Sequence, residues 1–228
     1  MTRRVVILVL VSAAAAATGA AGRAIDPADF VSRIDNPWYP LRPGTSYVYR
    51  GVQDGKRARE VVTVTSRKKT IIGVSCVVVS DKLYVQGRLA ERTADWYAQD
   101  RKGNVWYFGE ATAELDRRGR VTTTEGSWQA GADGARPGIV MPARPRVGEA
   151  FRQEYYKGHA EDHFRIVSLS ARVKVPYVSS RRAMLTREWS PLEPGAVDRK
   201  YYVRGIGNVI DESASGTERV VLTAVERR

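Results

Sequence analysis

The chain has 228 residues, with 37 Lys and Arg against 25 Asp and Glu, a formal net charge of +12 and one cysteine. A single thiol excludes any intramolecular disulfide, and the basic balance, in which arginine outnumbers lysine 29 to 8, directs attention to anionic partners. Nucleic acid is disfavoured among these, because the sequence has neither a zinc-finger spacing nor a helix-turn-helix pattern.

Arg3 and Arg4 precede an apolar run over 5–17 and a small-residue stretch over 18–24. Basic, apolar and cleavable regions in this order form a secretory signal. The run of 13 residues falls short of the roughly 20 that a helix needs to cross a bilayer. Residues 1–24 are therefore expected to be cleaved, leaving no stable membrane insertion. A lipid anchor would need a cysteine directly after the apolar region, whereas Cys76 lies far downstream. The expected product is a free secreted or periplasmic protein, residues 25–228, folded as a single β-rich domain. Loss of Arg3, Arg4 and Arg23 lowers its formal charge to +9.

A short helix is expected over 26–34, with Asp26 as cap, Pro27 in the first turn, and Phe30 and Ile34 on one face. Strands follow. Residues 46–50 and 59–65 flank Asp54-Gly55 as a hairpin, the second strand carrying Val62 and Val64 on one face. Further strands are read at 71–80, 82–86 and 89–99. Residues 95–109 hold two aromatic-rich strands around a glycine-containing turn. With a loop over 100–103, Tyr97 would oppose Trp106 and Trp96 would oppose Tyr107.

Glycines and prolines interrupt every period over 111–148, which reads as a long loop with one short strand near Trp128. Strands resume at 149–156, 163–175, 182–189, 199–204, 208–212 and 218–225. Phe164 and Ile166 share one parity while Val167 and Leu169 share the other, which predicts a bulge near Val167. About a dozen short-turned strands make an all-β antiparallel meander, either a curved sheet or a partly open barrel, with at most one or two short helices. Cys76 within Val74-Ser75-Cys76-Val77 reads as a small buried hydrophobe, the alternative being a reactive thiol.

Several segments resemble an uncharacterised group of exported bacterial β-rich proteins. These are Asn36-Pro37-Trp38-Tyr39-Pro40-Leu41-Arg42-Pro43-Gly44-Thr45, the aromatic hairpin, Glu188-Trp189-Ser190-Pro191-Leu192-Glu193-Pro194-Gly195, and Lys200-Tyr201-Tyr202-Val203-Arg204-Gly205-Ile206-Gly207-Asn208-Val209. The resemblance carries no activity. The opening Tyr39-to-Gly44 element and the late Tyr202-to-Val209 element are also similar to periplasmic lipoprotein-carrier folds, which implies a curved sheet cradling acyl chains.

Three sets of residues are candidates for chemistry. The two histidines fall together in Gly158-His159-Ala160-Glu161-Asp162-His163. On a strand, His159, Glu161 and His163 would share a face and suit zinc, whereas on a helix His159, Asp162 and His163 would do so. The alternative is an exposed polar turn. The carboxylates Glu91, Asp95, Glu110 and Glu154 lie in or beside aromatic strands, where paired acids would serve carbohydrate hydrolysis or simply mark a solvent face. Trp38, Trp96, Trp106, Trp128 and Trp189 pack a core or line a pocket, with Trp96, Tyr97, Trp106 and Phe108 the expected ligand-binding set.

No nucleophile elbow, phosphate loop or dinucleotide fingerprint occurs. The first expectation is a non-enzymatic domain, without cofactor, that binds an apolar or amphipathic, lipid-like ligand or an envelope component. A metal-dependent hydrolase built on His159, Glu161 and His163, and a basic adhesion module for anionic wall polymers, are the alternatives.

Overall fold

A computed structural model describes residues 25–227, so the export signal expected over 1–24 lies outside the described residues. A 3-10 turn at Pro27–Asp29 precedes sixteen strands. The first half comprises β1 (Phe30–Val31), β2 (Thr45–Gln53), β3 (Lys56–Ile71), β4 (Val74–Val85), β5 (Arg88–Asp100), β6 (Val105–Leu115), β7 (Val121–Thr123), β8 (Trp128–Gln129) and β9 (Arg136–Met141). The second comprises β10 (Ala150–Arg152), β11 (Glu154–Tyr155), β12 (His163–Lys174), β13 (Ser179–Trp189), β14 (Asp198–Val203), β15 (Gly207–Ser213) and β16 (Arg219–Arg227).

Strands β2 to β6 form one antiparallel meander and β12 to β16 another, joined where β16 pairs with β2. β9 continues the sheet beyond β6, and β10 precedes β12 at the opposite edge. The two edges are closed by a single stretch of chain. β10 pairs with β12 while β11, one residue further on, pairs with β9, so residues 150–155 span the gap and leave a barrel with one seam at Gln153. Gly138 on β9 permits the approach, since a Cβ there would run into the backbone of Arg152 and Gln153.

The segment before β2 is a strap held by buried polar groups. Asn36, 2% exposed, donates through Nδ2 to the carbonyls of Gly103 (2.8 Å) and Pro142 (3.2 Å), and its Oδ1 accepts from the Trp38 N–H at 2.8 Å. Gln99 Oε1 accepts from the backbone of Asp35 and Asn36 while its Nε2 donates to Asp35 Oδ1 at 2.8 Å. The Gly205 N–H donates to the Pro37 carbonyl at 2.6 Å. These anchors tie the strap to β5, to the loop after β9 and to the β14–β15 turn. They direct Tyr39 inward, against Tyr97 and Tyr202. A second apolar cluster covers the outer face of β4 to β6, where Cys76, Val78, Trp96 and Phe108 pack beneath Ile25, Phe30 and Ala130.

The bulge expected near Val167 is present, as a register shift between Ile166 and Ser168. Four local expectations are corrected. The helix over 26–34 is only the 3-10 turn: Asp26 Oδ1 caps it by accepting from the Ala28 N–H at 2.9 Å, but Phe30 and Val31 then pair with Asp100 and Gln99. Residues 71–80 are not one strand, because Ile72 and Gly73, at φ 42° and 83°, form a two-residue turn of the left-handed kind that matches strand twist. Residues 82–86 belong to β4.

In the aromatic hairpin Tyr97 opposes Tyr107 and Ala98 opposes Trp106, one residue off the expected register. The Asp100 side chain accepts from the Lys102 and Asn104 backbone N–H groups, from Asn104 Nδ2 and from Trp106 Nε1, and this network draws Asn104 into the loop. Residues 111–148 contain the end of β6 together with β7, β8 and β9, whose pairing to β6 or to β11 supplies the hydrogen bonds that their glycines and prolines obscure in sequence.

Asn36→Ala is expected to lower stability by about 2 to 3 kcal/mol, because it strands buried backbone groups without partners, measurable by urea denaturation. Burial pushes the Cys76 thiol up to about 12, so it is expected to resist a disulfide reagent at pH 8 until the protein is unfolded.

Candidate functional site

Alternation along β2 to β5 separates charge by face. Glu60 on β3, Asp81 on β4 and Asp95 on β5 share the parity of Val62, Val79 and Tyr97, and all six line an interior cavity of about 180 Å³. Tyr47 and Tyr49 of β2, Tyr39 of the strap, and Lys200, Tyr202 and Asp211 from β14 and β15 complete much of its wall. Glu110 lies directly across from Asp95, and Glu154 on β11 extends the row of carboxyls to the seam.

Among the described residues, one cation lines this cavity. Lys200 Nζ lies 2.9 Å from Glu188 Oε2 and 3.6 Å from Asp211 Oδ2. Its side chain keeps 30% of its surface although protein surrounds it, because that surface opens into the cavity. Burial draws the Lys200 pKa down, but Glu188 and Asp211 outweigh it and hold the ammonium protonated. Two of the lining tyrosine hydroxyls are engaged by backbone, Tyr47 donating to the Pro40 carbonyl and Tyr49 to that of Asn208, both at 3.0 Å, while Tyr107, outside the lining, donates to Asp95 Oδ1 at 2.7 Å.

With too few counterions, the carboxyls retain protons. Burial pushes Asp95 to about 7, against the Tyr107 hydrogen bond and with the help of Glu60 and Glu91. Burial likewise takes Asp211 to about 7, opposed by Lys200. It takes Glu110 to about 9, reinforced by Asp95 and Glu154, and Glu154 to about 8. Asp81 is raised well above the usual range by burial and by Glu60 beside it. Groups this close titrate as a set. Asp81 Oδ1, Glu154 Oε2 and Trp128 Nε1 are buried without hydrogen bonds of good geometry, although the Trp128 indole lies near enough to moderate the shift at Glu154.

Of the expected ligand-binding set, only Tyr97 lines the cavity. Trp96 and Phe108 are buried in the outer cluster, with Lys69 Nζ 3.3 Å from the Trp96 ring centre. Trp106 packs edge-on against Phe30 and donates to Asp100. The histidine segment does not converge. His159 is exposed and stacks on Tyr156, the Glu161 carboxylate accepts from the Gly158 N–H, and His163 stacks on Trp189 with its two nitrogens near the Glu161 carbonyl and Arg152 Nε. Among the described residues no group of three or more His, Cys, Asp or Glu side chains is arranged to hold a metal ion.

The carboxylates Glu91, Asp95, Glu110 and Glu154 do join one network, and all four shift upward. Glu60, Asp81, Asp211, Lys200 and Tyr39 were not singled out in sequence. The signal was present: Glu60 and Asp81 occupy the apolar parity of their strands, between Ala58 and Val62 and between Val79 and Leu83.

No family model and no curated protein matches the chain. Among solved structures, the chain is similar to a protein of Bacteroides fragilis NCTC 9343 assigned to export and to a YmcC-like fold, at 15% identity and a TM-score of 0.45, covering 83% of this chain and 99% of that one. It is also similar to a protein of Parabacteroides distasonis ATCC 8503 assigned as a lipoprotein, at 9% identity and a TM-score of 0.39, covering 84% and 99%.

The raised carboxyls set a pH dependence. Their folded pKa values exceed the unfolded ones, so the native state binds more protons between about pH 4 and pH 9, and the stability that they contribute is lost as pH rises through the folded values. The melting temperature is expected to fall from pH 5 to pH 9, and Glu110→Gln to flatten the upper part of that fall. A thermal-denaturation series across this range checks both.

Proposed function

We propose that the protein is an exported binding protein whose barrel interior holds a small amine- or ammonium-bearing ligand. The observation that carries this reading is Asp81, whose Oδ1 is buried beside Glu60 without a hydrogen bond of good geometry in a cavity shared with Glu60, Asp95, Asp211 and five tyrosines. Carboxylates supply charge to an ammonium group, and tyrosine ring faces attract it through their quadrupoles. Lys200 is held by Glu188 and Asp211, which leaves the Glu60, Asp81 and Asp95 side of the cavity for a second cation. The volume of about 180 Å³ lies below the roughly 300–1,000 Å³ of drug-sized sites, so the ligand is small.

This departs from the apolar or amphipathic ligand expected from the aromatic residues, because the aromatic side chains facing inward are tyrosines interspersed with acids. Export is supported by the residue pattern over 1–24. A bound cation would replace the protons on Asp81 and Asp95, so binding releases protons and strengthens as pH rises through about 7.

Calorimetry with choline and putrescine as probes tests the reading. Binding is expected to tighten several-fold from pH 6 to pH 8, with proton uptake by the buffer, and to fall at least tenfold in Asp81→Asn/Asp95→Asn. Tight binding of a fatty acid with no response to either amine would overturn it.

A further inference from the structure

The faces of β2 to β5 turned away from the cavity carry the opposite charge. Arg50 stands directly across from Arg59, and Lys82 directly across from Arg92. Like charges in directly opposed positions destabilise a sheet, yet here two such pairs lie in adjacent strands. Arg59 and Lys82 also border, with Arg67 and Tyr84, a shallow depression of about 370 Å³ floored by Val61, Thr63, Thr65 and Ser80. The Arg59 guanidinium lies 5.5 Å from the centre of the Tyr84 ring.

Among the described residues none of Arg50, Arg59, Arg67, Lys82 or Arg92 forms an ion pair. Glu60, Asp81, Glu91 and Asp95, the acids within β3 to β5 ahead of the Asp100 loop, project to the inner face. By register, the outer-face carboxylates on the β15–β16 side of the basic row are Glu212, two strands over from Val52 and paired with Arg219, and Glu226, across from Ser46.

The geometry points to this depression as a docking surface for an anionic polysaccharide chain, a partner distinct from the interior ligand. Five cations without an acid among them suit a polyanion, and guanidinium groups engage carboxylate, sulfate or phosphate oxygens in a bidentate fork. A groove floored by hydroxyl and small apolar side chains suits a sugar strand. Of the large exposed hydrophobic side chains among the described residues, Val52 alone lies on this face, and the aromatic at the depression, Tyr84, is half-buried beside the Arg59 guanidinium, so the patch offers little exposed apolar surface to insert into a bilayer. The like-charge register is explained by occupancy: the strain is relieved when the polyanion lies across both pairs.

The test compares dextran sulfate with neutral dextran and with phosphatidylglycerol vesicles, on the wild type and on Arg59→Glu/Lys82→Glu. The double variant turns both like-charge pairs into opposite-charge ones, so its melting temperature is expected to stay level or rise. Its affinity for dextran sulfate is expected to fall at least tenfold, with a shallower salt dependence, while the interior response to choline is unchanged. A control, Arg117→Glu/Arg118→Glu on the β6–β7 turn, changes net charge equally and is expected to lose less than twofold. Equal loss in both variants, wild-type affinity in Arg59→Glu/Lys82→Glu, or binding to vesicles but not to dextran sulfate would overturn the proposal. Failure of the choline response with these results intact would strike only the interior reading.

Discussion

Closing an antiparallel sheet around carboxyl groups is the constraint on which the rest of this molecule depends. Inside a barrel an ionised carboxylate loses its water, and without a counterion this costs several kcal/mol. Glu60, Asp81, Asp95, Glu110 and Glu154 run from β3 to the seam, while the ammonium that lines the cavity, Lys200, is committed to Glu188 and Asp211. Burial therefore leads the causes that raise Asp81, Asp95, Glu110 and Glu154, and favours their protonated forms. A cavity that stores protons in place of cations is poised to exchange one for the other.

The same closure organises the outside. Because side chains alternate along a strand, Glu60, Asp81, Glu91 and Asp95 face the interior while Arg59, Lys82 and Arg92 face solvent. The formal charge of +12 thus conceals two surfaces of opposite sign separated by one layer of backbone. The strap carrying Tyr39 belongs to this arrangement. Asn36 and Gln99 satisfy its backbone and fix its path, so a tyrosine rather than solvent fills that part of the interior.

Much of the fold was legible because strand periodicity and turn chemistry are local. Asp54-Gly55 marked a hairpin, and the parity switch at Val167 marked a bulge. Legibility failed where a distant partner decided the outcome. Ile72-Gly73 turns the chain although isoleucine seldom takes positive φ, and the Asp100 side chain moved the aromatic hairpin by one residue. β7, β8 and β9 exist because β6 and β11 pair with them. At the site, Asp95, Glu110 and Glu154 were visible as acids beside aromatic residues, whereas Glu60 and Asp81 were hidden among basic neighbours.

By itself the sequence determined an all-β chain, its export pattern, its lone thiol and the alternation that gives each strand two unlike faces, since all of these follow from composition and period. Tertiary structure alone decided which face is enclosed. Alternation states that Glu60 and Arg59 point in opposite directions but is silent on which one meets water. Only the bridging of the two edges by residues 150–155 turns one face into an interior, where the cost of losing solvent makes carboxyls hold protons and leaves the arginines outside.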